Sequence, residues 1–187
     1  MIRLVGPGAA GKTTVGRALA KRLRVSFVDL DEQFTIRVGD ISDYLKAHEY
    51  RAYASRNIQT YLDTLTSLDD IAVFALSSGF MTYGEDAHPA YRSIYEEILA
   101  SPSTAVLLPS FDHEACVTET VLRQLRRPFS RSAKEEEQVI RTRFSIYWRL
   151  PATKFETIKP VDAVAEHLAT HLLSSVSLAM VDPKSRM

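Results

Sequence analysis

The residues Gly6-Pro7-Gly8-Ala9-Ala10-Gly11-Lys12-Thr13 have the spacing G-x-x-x-x-G-K-[ST]. A loop of this kind can turn successive backbone N–H groups inward around phosphate oxygens, which side chains at the glycine positions would obstruct. A helix that starts at the end of the loop aims its positive pole at the same phosphates. Lys12 then reaches the β- and γ-phosphates, and the Thr13 hydroxyl is a ligand for Mg²⁺. The chemistry implied is binding of a nucleoside triphosphate.

Such a cradle is usually accompanied by an aspartate that holds magnesium at the end of a later apolar strand. Here the run Ile71–Leu76 ends in Ser77-Ser78-Gly79, with no acid. Carboxylates appear instead at Asp29-Leu30-Asp31. Alternation along an extended chain predicts that both side chains point to one side. Asp29 is placed to hold magnesium through water and Asp31 to face a phosphate acceptor. Either could instead cap the helix that follows.

Other chemistry-bearing groups read more simply. Arg123, Arg126, Arg127 and Arg131 surround Pro128-Phe129. A loop that closes over phosphates suits this cluster better than nucleic acid, because Phe129 is its sole aromatic. His167 and His171 stand one helical turn apart with no third ligand near in sequence, which is too little for zinc. Cys116 has no neighbour that would activate it and reads as a packing residue.

The elements that must position these groups follow from hydrophobic periodicity. Ile2–Val5, Val25–Val28, Ile71–Leu76 and Thr104–Leu108 read as strands, and the last two are continuous apolar runs expected of strands covered on both faces. Val15, Ala18, Leu19 and Leu23 form one helix face between the first two strands, and so short a strand–helix–strand unit must be parallel. Helical patterns run from Asp31 to about Leu68 with a break near Gly39-Asp40, from Tyr91 to Ile98, and from Glu114 to about Leu125. Ser132 and Glu135 form a capping box that starts a helix reaching Arg149 or Leu150. A strand near Lys154–Thr157 and a helix from Pro160 complete the chain, with a frayed tail after about Ser175. Alternating strands and helices predict one three-layer α/β domain over residues 1–187.

Composition narrows the classes. The 187 residues carry 23 Lys plus Arg and 23 Asp plus Glu. No net positive field draws the chain to nucleic acid or an anionic membrane. One cysteine cannot form an internal disulfide, and no apolar run approaches the roughly 20 residues of a membrane span. A strand-like start at Ile2 leaves no room for a targeting peptide. A cytoplasmic protein is expected.

Taken in order, the motifs resemble the shikimate kinase family, among the small P-loop kinases of nucleoside monophosphate kinase type. The resemblance spans about residues 2–172. It rests on the cradle ending Gly11-Lys12-Thr13-Thr14. Asp29-Leu30-Asp31 with Arg37-Val38-Gly39 is similar to the family's D-x-D and R-x-G, and Glu49-Tyr50-Arg51 to its E-x-F-R. Arg127-Pro128-Phe129 with Arg143–Tyr147 is similar to its lid R-P-L and downstream R-x-x-x-Y.

The resemblance implies a five-stranded parallel core, a helical acceptor-binding insert at about 31–60 and a mobile lid at about 112–132. It implies transfer of the γ-phosphate of ATP, with Mg²⁺, to the 3-hydroxyl of shikimate by a monomer. Gly8, Ala9, Ala10, Gly11, Lys12, Thr13 and Thr14 would hold ATP, with Arg127 closing over the phosphates and Arg123 or Arg126 against adenine. Thr13 and Asp29 would hold the metal. Asp31 would bind the acceptor's hydroxyls, Arg51 and Arg143 its carboxylate, and Ser78 and Gly79 would lie against its ring. Lys12, Asp31 and Arg127 would act in catalysis. The partners implied are small molecules, ATP and shikimate or a similar hydroxy acid.

Four features depart from the family pattern. Its glycine triplet is Ser77-Ser78-Gly79, the glutamate three residues after the acceptor arginine is Ala54, a cradle glycine is Ala9, and the insert is short between Gly39 and Arg51. The serines either crowd the acceptor or supply new hydroxyls. A kinase for another hydroxylated carboxylate, such as gluconate, and a ligand-binding module that has lost the reaction therefore remain open.

Overall fold

The structure is a computed structural model that describes residues 1–68, 71–125 and 132–181, the side chains of 175–181 excepted. Arg126, Arg127 and the Pro128-Phe129 pair, and with them the C-terminal part of the expected lid, lie outside the described residues.

Five parallel strands, β1 (Ile2–Val5), β2 (Ser26–Asp29), β3 (Ala72–Ala75), β4 (Thr104–Leu108) and β5 (Thr153–Glu156), form one sheet in the order β2-β3-β1-β4-β5. Strand alternation sorts their side chains. Leu4, Val73, Ala105, Leu107 and Phe155 face one layer, made by α1 (Lys12–Leu23) and α8 (Val161–Val181) through Val15, Leu19, Val164 and Leu168. Val5, Phe74, Leu76, Val106 and Leu108 face the other. That layer comprises α4 (Tyr50–Leu65), α5 (Tyr91–Ala100), α6 (His113–Leu125) and α7 (Ala133–Arg149), represented in the core by Tyr61, Ile98, Cys116 and Tyr147. This is the three-layer α/β arrangement expected from the apolar runs. The exception within β1 is Arg3, which is buried yet satisfied, donating to the Tyr61 hydroxyl at 3.0 Å and pairing with Glu97.

The stretch read as one helix with a single break is three helices: α2 (Leu30–Arg37), α3 (Ile41–Ala47) and α4. Asp40 caps α3 by accepting from the Asp43 N–H at 3.0 Å. The second break, at His48-Glu49, turns the chain so that Tyr50 and Arg51 open α4. A 3₁₀ turn, Phe80–Thr82, follows β3 and carried no periodicity to betray it. The last helix continues to Val181, past the Ser175 position where fraying was expected. His167 and His171 lie edge-on to the Phe155 ring at 5.1 and 5.5 Å, and Cys116 is buried. Among the described residues no cluster of three or more His, Cys, Asp or Glu could hold a metal, and no helix could cross a membrane.

Because all strands are parallel, the loops that follow them gather at one edge. The cradle follows β1, Asp29–Asp31 ends β2, Ser77–Gly79 follows β3 and Thr157–Pro160 follows β5. Helix α7 reaches the same edge. Its capping box is present, with the Ser132 hydroxyl accepting from the Glu135 N–H and the Glu135 carboxylate accepting from the Ser132 N–H at 3.0 Å. Ser132→Ala removes one of these two bonds, so the variant should lose about 1 kcal/mol in urea denaturation. Ser132→Asp should lose less.

Candidate active site

The cradle is shaped by backbone torsion before any side chain acts. Gly6 has φ 152°, and a Cβ there would lie 2.3 Å from the Leu107 carbonyl oxygen. Gly11, the N-cap of α1, has φ 86°, and Ala9 also takes a positive φ of 53°. Lys12 folds back across the loop and donates from Nζ to the carbonyls of Gly6 and Pro7, both at 2.8 Å. Two residues from far along the chain hold the loop from outside. The Thr157 hydroxyl donates to the Ala10 carbonyl at 2.9 Å, and Arg123 donates from Nη1 to the Ala9 carbonyl and the Thr157 hydroxyl, each at 3.3 Å. The Gln124 amide lies over Gly8, 2.5 Å from where a Cβ would stand.

Asp29 takes the capping role that spacing left open and keeps its second oxygen on the cradle side. Its Oδ1 accepts from the Asp31 N–H at 2.9 Å and the Glu32 N–H at 3.4 Å, capping α2. Its Oδ2 accepts from the Thr13 hydroxyl at 2.6 Å. Two hard oxygen donors thus meet at the mouth of the cradle, a donor set that suits Mg²⁺, which takes one or two protein oxygens and completes its shell with phosphates and water. Strand alternation does not carry on to Asp31, because α2 already starts at Leu30. Asp31 reaches the cleft from the first helical turn instead.

A cleft of about 110 Å³ is lined by Lys12, Thr13, Asp29, Asp31, Ser78 and Gln124, so both carboxylates, the cradle and one serine share a single space. Ala9, Gly11 and Thr14 also line an adjoining cleft of about 540 Å³, walled by Arg123, Thr157 and Pro160. The first has the polar lining of a phosphate site, and the second has room for a nucleoside.

The serines do not crowd this space in the same way. Ser77 is buried and turns inward, donating to Asp31 Oδ1 while accepting from Asn57 Nδ2 at 3.0 Å. Asn57 Oδ1 in turn accepts from the Tyr83 hydroxyl at 3.1 Å. Burial pushes the Tyr83 phenol well above its ordinary pKa, as it does that of Tyr53, so both stay neutral donors. Ser78 faces Arg143, accepting from its Nη1 at 3.1 Å, while Arg143 Nη2 donates to the Tyr50 hydroxyl at 3.3 Å and the Tyr147 hydroxyl donates to the Ser78 carbonyl at 3.0 Å. The Tyr50 hydroxyl and Arg143 Nη2 pack against Gly79, 2.5 and 3.2 Å from where a Cβ would stand. Arg51 does not join this cluster. Its guanidinium pairs with the Asp86 carboxylate at 3.0 Å and donates to the Asp86 carbonyl at 3.1 Å, with both side chains exposed. Ala54, at the position of the family glutamate, is buried against the core.

A profile of the shikimate kinases matches residues 8–173. The chain belongs to the shikimate kinase family. The shikimate kinase of Legionella pneumophila is 31% identical over 179 residues, 94% of this chain and 95% of that protein. That of Acinetobacter baylyi is 39% identical over 92 residues, 49% of this chain and 48% of that protein. The structure of shikimate kinase from Acinetobacter baumannii in complex with shikimate superposes with a TM-score of 0.67 at 24% identity, over 97% of this chain and 94% of that one. A gluconokinase from Sinorhizobium meliloti 1021 also superposes, with a TM-score of 0.59 at 12% identity, over 96% and 94%. These likenesses concern the fold, which a gluconokinase shares; sequence is what assigns the family.

Thr157 and Gln124 went unnoticed in the sequence because each is an ordinary residue far along the chain from the loop it touches. Thr157→Val keeps the shape but leaves the Ala10 carbonyl without its donor. The variant should bind ATP about tenfold more weakly by calorimetry, while its far-ultraviolet circular dichroism should stay unchanged.

Proposed function

We propose that this chain transfers the γ-phosphate of ATP to the 3-hydroxyl of shikimate. One observation carries the reading: Asp31 lines the same small cleft as Lys12 and the cradle, so a hydroxyl held by that carboxylate faces the end of a bound triphosphate. The adjoining larger cleft takes the nucleoside, with Arg123 and Pro160 on its walls.

Phosphoryl transfer asks little covalent chemistry of a protein; positioning and neutralisation of charge dominate. The acceptor oxygen bonds to the γ-phosphorus as the bridging bond to the β-phosphate breaks, and the hydroxyl proton passes to Asp31. Lys12 neutralises the charge that builds on the phosphates. Thr13 and Asp29 are the residues that would hold Mg²⁺, and the ion supplies further neutralisation when bound. Arg143, fixed by Ser78 and Tyr50, presents its guanidinium fork to the acceptor's carboxylate, which a fork matches in plane as well as in charge. Arg51 would join it only by leaving Asp86, and an exposed ion pair of this kind is worth about 0–1 kcal/mol, little enough for a substrate to displace. Arg127, from its match to the lid motif, would close over the phosphates. The single-domain organisation, with an acceptor-binding insert at about 31–60, belongs to the same reading.

The test is ADP release with shikimate against gluconate and other hydroxylated carboxylates. Shikimate should be turned over best. Preference for gluconate would favour the second kinase reading, and binding of both ligands without ADP release would favour the binding module. Lys12→Ala should lower turnover by about 10²–10³-fold. Arg143→Lys keeps the charge and loses the fork, so KM for shikimate should rise with KM for ATP nearly unchanged; equal rises in both would contradict the assignment of Arg143.

A further inference from the structure

We propose that Ser77 is a positioning residue: with Asn57 and Tyr83 it forms a one-way hydrogen-bond relay that fixes the carboxylate of Asp31 for the acceptor. The inference rests on the acceptor role of Asp31 proposed above.

The relay joins four elements. Asp31 lies in the first turn of α2, Ser77 just after β3, Asn57 in the middle of α4, and Tyr83 directly after the 3₁₀ turn. Ser77 and Asn57 are 2% and 0% exposed and Tyr83 7%, so water does not compete for their bonds. The direction of the bonds is set by chemistry. A serine hydroxyl has one proton, and an amide NH₂ can only donate. With Asn57 Nδ2 donating to Ser77 Oγ, the single Ser77 proton goes to Asp31 Oδ1. If the amide were reversed, Ser77 would spend its proton on Asn57 and turn lone pairs toward the carboxylate, which is repulsive. The Asp31 carboxylate can only accept, so it sets the sense of the chain, and the Tyr83 hydroxyl completes it by donating to Asn57 Oδ1 at 3.1 Å. Each donor in such a chain polarises the next, and the chain ends on a negative charge.

The terminal torsion of an aspartate is broad and easily turned. A donor fixed in the core restricts it, so that the carboxylate meets the acceptor hydroxyl in one orientation. Where the family pattern has glycine, no side chain could make this bond. Ser77 therefore does not occupy acceptor space in this chain; it takes over part of the orientation of Asp31. Its neighbour Ser78 has a separate partner, Arg143.

The test is a double-mutant cycle on Ser77 and Asp31, read as kcat and KM for shikimate and KM for ATP. Ser77→Ala should lower kcat about tenfold, the scale of one hydrogen bond to a charged group, with KM for ATP unchanged. In an Asp31→Asn background the same substitution should have no further effect. Tyr83→Phe, which keeps the ring in the core, should lower kcat in the same sense by a smaller factor, and it decides the matter should Ser77→Ala not fold. Wild-type kcat in both variants, a gain of turnover in Ser77→Gly, or an undiminished Ser77→Ala effect in the Asp31→Asn background would overturn the relay. If Asp31→Asn itself leaves shikimate kinetics unchanged, the acceptor role of Asp31 fails and the relay with it. If Asp31→Asn is impaired and Ser77→Ala is not, the relay alone fails.

Discussion

The carboxylate of Asp29 joins three elements at the edge of the sheet. One oxygen caps α2 through the Asp31 and Glu32 N–H groups, and the other accepts from Thr13 at the start of α1. Because Asp29 ends β2, this one side chain sets where the phosphate cradle, the central sheet and the first turn of α2 stand relative to one another. Asp31 is placed by that cap, two residues on, and its distance from the triphosphate site is a consequence. Asp29→Ala would remove a cap, a partner of Thr13 and an anchor for the first turn of α2 together, so its effects would not separate by function.

Around that node the site is assembled from parts that follow different strands. The cradle is held by Thr157 from beyond β5 and by Arg123 from α6. The acceptor side is held by buried groups of α4 and of the segment after β3, and by Arg143 of α7. Thr157, Asn57 and Tyr83 hold their parts of the site without needing to touch a substrate. Their bonds lie in a part of the protein where unmade hydrogen bonds cost the most, which is how an open polar cleft keeps its geometry without rigid packing of its own.

The sequence disclosed the parts whose signals are local. The cradle has a fixed spacing, β4 is a continuous apolar run with the same bounds in the structure, and the Ser132–Glu135 box starts α7 as expected. Asp29 could be narrowed to capping or metal binding, and no spacing argument could show that one oxygen caps α2 while the other accepts from Thr13. What stayed hidden depends on pairing across the fold. Asn57 looks like a polar residue in the middle of a helix, and Thr157 like the end of an edge strand; only the sheet order brings them to Ser77 and Ala10. Arg51 and Arg143 match adjacent family motifs, yet Arg51 finds Asp86, whose position in the loop after β3 no pattern predicts. The serines read as an obstruction or a source of donors; Ser77 is buried and donates to Asp31, whereas Ser78 lines the cleft and accepts from Arg143.

We propose that Asp31 and the cradle form one bisubstrate cleft that takes shikimate beside ATP. Calorimetric titration of shikimate into the protein loaded with a non-hydrolysable ATP analogue tests it most directly. Binding should be saturable at one molecule per chain, and weaker in Asp31→Asn while the analogue still binds. No heat of binding at millimolar shikimate, with the analogue bound, would contradict it.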